Sequence, residues 1–171
     1  MKKLLVALAL ALAVATPCQS QQFTSAKPTP LKLAKAVKPM ERVVHFVGSV
    51  VLSGRFLATW EAIDKDRHSL RVVFRPDDAS AALLPHEKGD KALKELFFSN
   101  REQAPSMLLA PEMAQKFLAK ETLAVEGEAT VTISDYRTGV DCDQRWYAAR
   151  LVSVSKRQDI IAARPSGRAG C

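Results

Sequence analysis

The chain has 171 residues and a mass of 18.7 kDa, which is enough for one domain or two very small ones. Apolar residues make up 47% of it and charged residues 25%, a composition that excludes wholesale disorder, collagen and a coiled coil. The net charge of +7 lies toward the two termini, because residues 41–155 hold 15 basic and 17 acidic residues, and this near-neutral body argues against a basic nucleic-acid groove.

The N-terminus has the pattern of an export signal. Lys2 and Lys3 precede an uncharged apolar run over residues 4–15, which ends in alanines two positions apart. A helix of this length spans about 18 Å, well short of a bilayer core of about 30 Å. We therefore predict a signal peptide over residues 1–15, with cleavage there or near Ser20. The alternative is an uncleaved anchor.

Cys18 raises the question of a lipoprotein. A lipid-attachment motif has a small residue directly before the cysteine and usually a leucine three before it, whereas Pro17 and Ala15 stand there. Both departures count against lipidation. The short Lys-Lys start and the Ala/Leu run are typical of bacteria, so the expected location is periplasmic or secreted.

Two segments flank the predicted domain. Residues 16–41 are rich in Pro, Lys, Ala, Thr and Gln without a sustained period, which predicts a flexible basic linker, extended or disordered. Residues 157–171 have a similar character and predict a flexible basic tail. The tails have the composition of solubilising linkers, although they could also touch anionic lipid or glycan. The folded domain is then expected over residues 42–156.

The first half of this domain has the pattern of β-strands. Residues 43–61 are rich in Val, Phe and Leu and are interrupted by Gly48 and Gly54, which predicts one long curled strand or a hairpin pair. Residues 61–68 are polar and predict a loop. Residues 69–75 alternate between apolar and polar side chains, as a half-buried strand does, and the strand ends at Pro76-Asp77-Asp78. A third short strand is expected at Ala81–Leu84.

A helical period follows. Asp90 is a candidate N-cap, and Leu93, Leu96 and Phe97 have i, i+3, i+4 spacing, so a helix is predicted over residues 90–98. Pro111 suits the first position of a second short helix over residues 111–120.

The second half returns to strands. Residues 122–133 alternate with one apolar and one polar face, typical of an antiparallel sheet with one wet side. Residues 134–145 contain Thr138-Gly139 and predict a loop, and residues 146–155 predict the last strand.

This order of elements resembles the OB-fold, a five-stranded Greek-key barrel with its helix between the third and fourth strands. It is similar to the small exported OB-fold proteins with a tRNA-anticodon-like domain. The resemblance covers roughly residues 43–155 and depends on element order, a glycine in the first strand and Val125-Glu126-Gly127. The expected fold is mainly β with a helical insert, a β-β-β-α-β-β barrel. Another small β-barrel or an α+β sandwich is the alternative.

No catalytic motif stands out. His-Glu-x-x-His, Gly-x-Ser-x-Gly, the phosphate-binding loop and the dinucleotide fingerprint are all missing from the sequence. His45, His68 and His86 are far apart and have no metal-type ligand at close helical spacing. The letters Ser-x-x-Lys at residues 153–156 fall on a predicted strand, where the lysine would not lie one helical turn from the serine. We expect no metal, no cofactor and no enzymatic activity.

The chain has three cysteines, Cys18, Cys142 and Cys171, and no Cys-x-x-Cys pair. An oxidising compartment would favour a disulfide. Cys142–Cys171 would close about thirty residues and contribute roughly 3 kcal/mol. Pairing of Cys18 with either of the other two stays open.

The OB-fold resemblance implies a ligand face on the second and third strands, with the loops over residues 61–68 and 134–145 beside it. The candidate binding residues there are basic or aromatic: Arg67, His68, Arg71, Arg75, Tyr136, Arg137, Arg145 and Trp146. Arginine next to an aromatic ring can bind a sugar, a phosphate or a peptide carboxylate. We expect a non-enzymatic binding module whose partner is an envelope protein or an anionic envelope glycan.

The alternatives are a single-stranded nucleic-acid binder and, less favoured, a hydrolase with an unrecognised site. Nucleic acid is not the favoured partner, because such binders need exposed aromatics in a positive groove. We expect no transmembrane span after signal cleavage, and the sequence leaves the oligomeric state open.

Overall fold

The computed structural model describes residues 30–34, 43–65, 67–86, 93, 95–142 and 144–163. In this part of the chain the fold is mainly β with a few short helices, which confirms the expected β-rich class with a helical insert. The elements in chain order are β1 (Lys32–Leu33), β2 (Val43–Ala62), β3 (His68–Pro76), α1 (Asp78–Ala81), β4 (Leu96–Phe98), α2 (Ala104–Leu108), α3 (Pro111–Leu118), β5 (Ala124–Asp141) and β6 (Gln144–Ala162).

The strands pair in the order β1-β2-β3-β4-β6-β5, and β5 also pairs with β2. Five strands, β2 to β6, therefore form a closed circuit in which each has two neighbours, while β1 adds to β2 at one side. The β4–β6 pairing is parallel and the other pairings are antiparallel. None of the helices in the described ranges is long and apolar enough to cross a membrane.

Strand β2 is one long strand, as the first of the two sequence interpretations expected, and not a hairpin pair. It pairs with β5 from Val43 to Thr59 and with β3 from Gly54 to Ala62. Gly48 has φ of 111° at the shift in the β2–β5 register, a conformation that side chains with a Cβ rarely adopt. This bulge and the close approach of β3 at Gly54 allow β2 to pair with both β3 and β5.

The core lies inside the circuit of strands. Its largest fully buried side chains come from β2, β3, β4, β5, β6 and the helical segment, and they include Leu52, Phe56, Phe74, Leu96, Leu108, Phe117, Ile133, Tyr136 and Leu151. Helix α3 packs against one end: the Trp60 indole Nε1 donates to the Phe117 carbonyl at 2.8 Å, and the two rings stack 5.9 Å apart. The predicted helix over residues 111–120 is confirmed, with Pro111 at its start.

Two predictions in the middle of the chain are wrong. Residues 78–84 form the short helix α1 and a turn rather than a strand at Ala81–Leu84. Residues 96–98 form β4 rather than the end of a helix, and Asp90 lies outside the described residues. Leu96 and Phe98 are buried with Phe97 turned outward, so the strand period of two prevails over a spacing that also fits a helix.

The predicted loop over residues 134–145 is also wrong. Strand β5 continues to Asp141 and β6 begins at Gln144, so most of this segment is a two-stranded ribbon. Asp135 has φ of 50° where the β5–β6 register shifts, which restarts the alternation and turns Tyr136 and Thr138 into the core. Arg137, which lies between them, is half-buried on the opposite face of the strand.

The boundaries of the domain are wider than residues 42–156. Strand β6 runs to Ala162, which pairs with Val125, so residues 157–162 belong to the sheet and not to a flexible tail. Lys32–Leu33, within the predicted linker, pairs with Phe46 and Val47 of β2. The predicted signal peptide, the rest of the linker and the last residues of the tail lie outside the described residues.

Helix α1 has a titratable N-cap, which makes a test of local stability possible. The Asp77 carboxylate accepts a hydrogen bond from the Ser80 amide at 2.7 Å, and its bonds with Ser80 hold the pKa of Asp77 below its ordinary value of 3.8. A lowered folded pKa means that the ionised carboxylate stabilises the fold above pH 3.8 and that this contribution fades as the pH falls through the lowered pKa.

We predict that Asp77→Asn lowers the free energy of unfolding at neutral pH, since the neutral amide accepts a weaker bond than the carboxylate. The difference between this variant and the unmodified protein should shrink below pH 3.8. Urea denaturation at neutral and acidic pH measures it, and a difference that does not depend on pH would contradict the capping role.

Candidate functional site

An ion-pair network covers the outer face of β2 and β3. Arg71 donates to Glu61 Oε1 at 3.1 Å and to Glu95 Oε2 at 2.8 Å, while Arg75 donates to Glu95 Oε1 at 2.7 Å. Two arginines therefore face two glutamates. The sequence prediction that Arg71 and Arg75 project from the polar face of β3 is consistent with this geometry, but both carry an acidic partner that the sequence did not indicate.

Phe97 is the aromatic residue of this face. It is 36% exposed at the middle of β4, and the Arg71 guanidinium carbon lies 5.5 Å from the centre of its ring. This distance is within the range of a cation–π contact. The two glutamates and Phe97 thus hold Arg71 from three sides, so that its guanidinium is positioned before any ligand arrives.

The strand register connects this network to Arg137 of β5, another of the candidate binding residues. Val73 pairs with Phe97, Phe97 with Ala148, and Ala148 with Arg137, so the four residues form a row across β3, β4, β6 and β5. At a strand spacing of about 4.8 Å, the backbones of Phe97 and Arg137 are about 10 Å apart. Arg137 and the network around Arg71 and Phe97 therefore lie on one face of the sheet, although they are far apart in sequence.

Arg137 is also neutralised by a carboxylate. Its Nε donates to Asp135 Oδ1 at 3.2 Å, and a second guanidinium nitrogen donates to Oδ2. This hydrogen bonding lowers the pKa of Asp135 and raises the pKa of Arg137, so both stay charged at neutral pH. With Arg71 and Arg75 paired as well, the face carries little net charge.

A groove of 710 Å³ opens beside Phe97, where β4 separates from β3. One wall is the segment Ser69–Val72 of β3, and the other is β4 with the turn that follows it, residues 97–103. Arg71 and Glu61 form its outer rim. The exposed Arg101 and Glu102 on the turn carry opposite charges, as do Arg71 and Glu61, so the charged residues that line the groove balance.

The remaining candidate residues are dispersed. Arg67 is exposed on the turn before β3 and pairs with Asp64 at 2.6 Å, and His68 is half-buried at the first position of β3. Arg145 and Trp146 are half-buried near the β5–β6 turn, with the Trp146 ring against Gly139. These four residues do not line the groove.

The structure places the Tyr136 side chain in the core and not on the candidate ligand face. This side chain is fully buried, its hydroxyl donates to the Pro85 carbonyl at 2.9 Å, and its ring stacks with Tyr147 at 6.5 Å. The register shift at Asp135 turns Tyr136 into the core, so that it contributes to packing rather than to a surface.

Cys142 is exposed on the β5–β6 turn and has no disulfide partner among the described residues, and its two candidate partners, Cys18 and Cys171, lie outside them. The disulfide candidates therefore stay predictions. Within the described ranges, no three His, Cys, Asp or Glu side chains come together as a metal site requires.

Sequence reasoning missed three residues that shape this site: Glu95, Phe97 and Asn100. The sequence pattern predicts a helix at Phe97, and Glu95 is 20 residues away from Arg75 and 24 from Arg71, so no local pattern connects them. The Leu-Phe-Phe run before Ser99-Asn100 was the available signal, since a short β-prone run followed by turn residues also fits a strand.

No family model, no curated protein and no solved structure matches the chain.

Proposed function

We propose that this chain is an exported, non-enzymatic binding module of the bacterial envelope, built as an OB-like barrel. It takes a protein or glycan on the outer face of β3 and β4, beside the segments 61–68 and 134–145. The observation that carries the proposal is the groove at Phe97, where an exposed ring, a positioned guanidinium and polar turn residues line one open cleft.

Three features support the barrel and the export. Five strands pair in a closed circuit, and two helices lie between the third and fourth of them, as in an OB-fold. In that architecture the second and third strands form the ligand face, which corresponds to β3 and β4 here. Lys2, Lys3 and the apolar run over residues 4–15 have the pattern of an export signal.

The charges of the face favour a polar ligand of low charge. Glu61, Glu95 and Asp135 neutralise Arg71, Arg75 and Arg137, so little positive potential is left on this face to attract a polyanion. A single-stranded nucleic-acid binder instead combines a positive groove with several stacking rings. The proposal therefore favours a protein or a weakly charged glycan over DNA, RNA or a strongly anionic glycan.

Co-sedimentation with isolated bacterial envelopes tests the proposal. Phe97→Ala should lower the affinity about tenfold, because it removes the ring on which the ligand and Arg71 rest. Leu123→Ala is the matched control, since Leu123 is 39% exposed but lies outside the groove. Circular dichroism of both variants checks that the fold is retained.

Equal binding by the Phe97→Ala variant and the unmodified protein would overturn the assignment of the groove. Single-stranded DNA serves as the comparison ligand. Tighter binding to DNA than to envelopes, with a steep loss of affinity on adding salt, would favour the nucleic-acid alternative instead.

A further inference from the structure

The groove exists because β4 leaves β3 after only two paired positions. Val73 pairs with Phe97 and Phe74 with Leu96, and the antiparallel register would next bring Phe98 opposite Val72 and then Ser99 opposite Arg71. The chain turns away instead, while β3 continues to His68 with β2 as its neighbour on one side. Along Ser69–Val72, the other edge of β3 has no strand partner among the described residues.

Asn100 accounts for this separation. Its side-chain Nδ2 donates to the Leu151 carbonyl at 2.9 Å, and its Oδ1 accepts from the Leu151 amide at 2.9 Å. The Ser99 amide also donates to the Ala149 carbonyl at 2.9 Å. These hydrogen bonds attach the turn to β6 and hold it away from β3, so they fix the width of the groove.

The open edge presents backbone groups in a regular pattern. In a strand, N–H and C=O groups at one edge repeat every second residue, about 6.8 Å apart. Ser69–Val72 is therefore a short template that a chain with the same repeat can match. Leu70 and Val72 line the inner side of the groove, and Phe97 with Arg71 lines the outer side.

We propose that this groove binds an extended peptide, which adds to the edge of β3 between β3 and the turn after β4. The inference rests on the proposed binding function and names its ligand class. A polypeptide supplies alternating N–H and C=O groups at the spacing of the open edge, which sugar rings and phosphodiesters do not. The peptide would have one apolar side, which packs against Leu70 and Val72. Its opposite side would be polar or mixed and needs no acidic residue, because Glu61 and Glu95 already neutralise Arg71.

A random peptide library displayed on phage provides the probe. The protein purified after expression of the full chain is the target, and a selected peptide is synthesised with a single N-methyl group placed at each position in turn. N-methylation removes one N–H donor. If the peptide pairs with the edge of β3, affinity should fall about tenfold or more at every second position and stay nearly constant at the positions between them.

A peptide that binds without this alternation would overturn strand addition. In a parallel experiment, peptidoglycan fragments and the peptide are each added to the protein, and the NMR signals of the Ser69–Val72 backbone amides are followed. If these fragments shift the signals and no peptide does, the peptide inference fails and the proposed binding function stands. If neither shifts them, both fail.

Discussion

Replacing Gly54 by alanine is expected to lower the free energy of unfolding by about 3 kcal/mol or more, the upper range for overpacking. A Cβ at this position would lie 2.2 Å from the Arg75 carbonyl oxygen and 2.7 Å from the Pro76 Cα. Both are backbone atoms of β3, so a change of side-chain rotamer cannot relieve the clash. The strands would have to separate where the β2–β3 pairing begins.

Gly127→Ala is the comparison variant. A Cβ there would meet the Gln158 carbonyl at 3.0 Å and the side chains of Ile160 and Phe56 at 3.1 Å, contacts that shifts of a few tenths of an ångström can relieve. We expect it to cost about 1 kcal/mol. Urea denaturation of both variants measures the difference, and a Gly54→Ala protein as stable as the Gly127→Ala protein would contradict the close approach of β2 and β3.

The second large effect is expected at Asn100. Asn100→Ala leaves both the N–H and the C=O of Leu151 without the partners that the side chain supplies, and this should cost about 2–4 kcal/mol. The variant should also bind a groove peptide more weakly, because the turn after β4 is then free to close against β3.

Ser99→Ala is the matched control for Asn100. Among the described residues the Ser99 hydroxyl makes one long hydrogen bond, 3.3 Å to the Ala149 carbonyl, so its loss should cost less than about 1 kcal/mol. Thermal unfolding and calorimetric peptide titration give the two readouts. If both variants behave alike, Asn100 does not hold the groove open.

Periodicity was sufficient to predict the elements with a clear face. Strands β2 and β3, helix α3 and the first part of β5 follow from alternation or helical spacing, because each buries one side against the core. The elements that periodicity did not predict are held in place by long-range strand pairing. Strand β4 is three residues long and its partners are β3 and β6, so its own residues fit a helix equally well.

The ribbon of β5 and β6 was missed for a different reason. A backbone in the left-handed region at Asp135 shifts the alternation, so that the buried Tyr136 and Thr138 no longer follow the period of residues 122–133. A simple period of two cannot continue through such a shift. The same shift explains why Tyr136, a plausible surface aromatic by sequence, lies in the core.

The candidate face was predictable in part. Arg71 and Arg75 follow from the alternation of β3, but the ion pairs with Glu95 and the contact with Phe97 depend on where β4 lies. Tertiary pairing therefore changes the expected chemistry, from a cationic surface that attracts anions to a nearly neutral groove with an open strand edge.

Hydrogen exchange of the backbone amides in the free protein measures, without any ligand, whether the edge of β3 is open. Along Ser69–Val72, the amides that point away from β2 should exchange much faster than the Val73 and Phe74 amides that β2 or β4 covers. Fast exchange at alternate positions is the predicted result, since only one edge of β3 is open. Uniform slow exchange from Ser69 to Phe74 would contradict the account, because the edge of β3 would then already be covered.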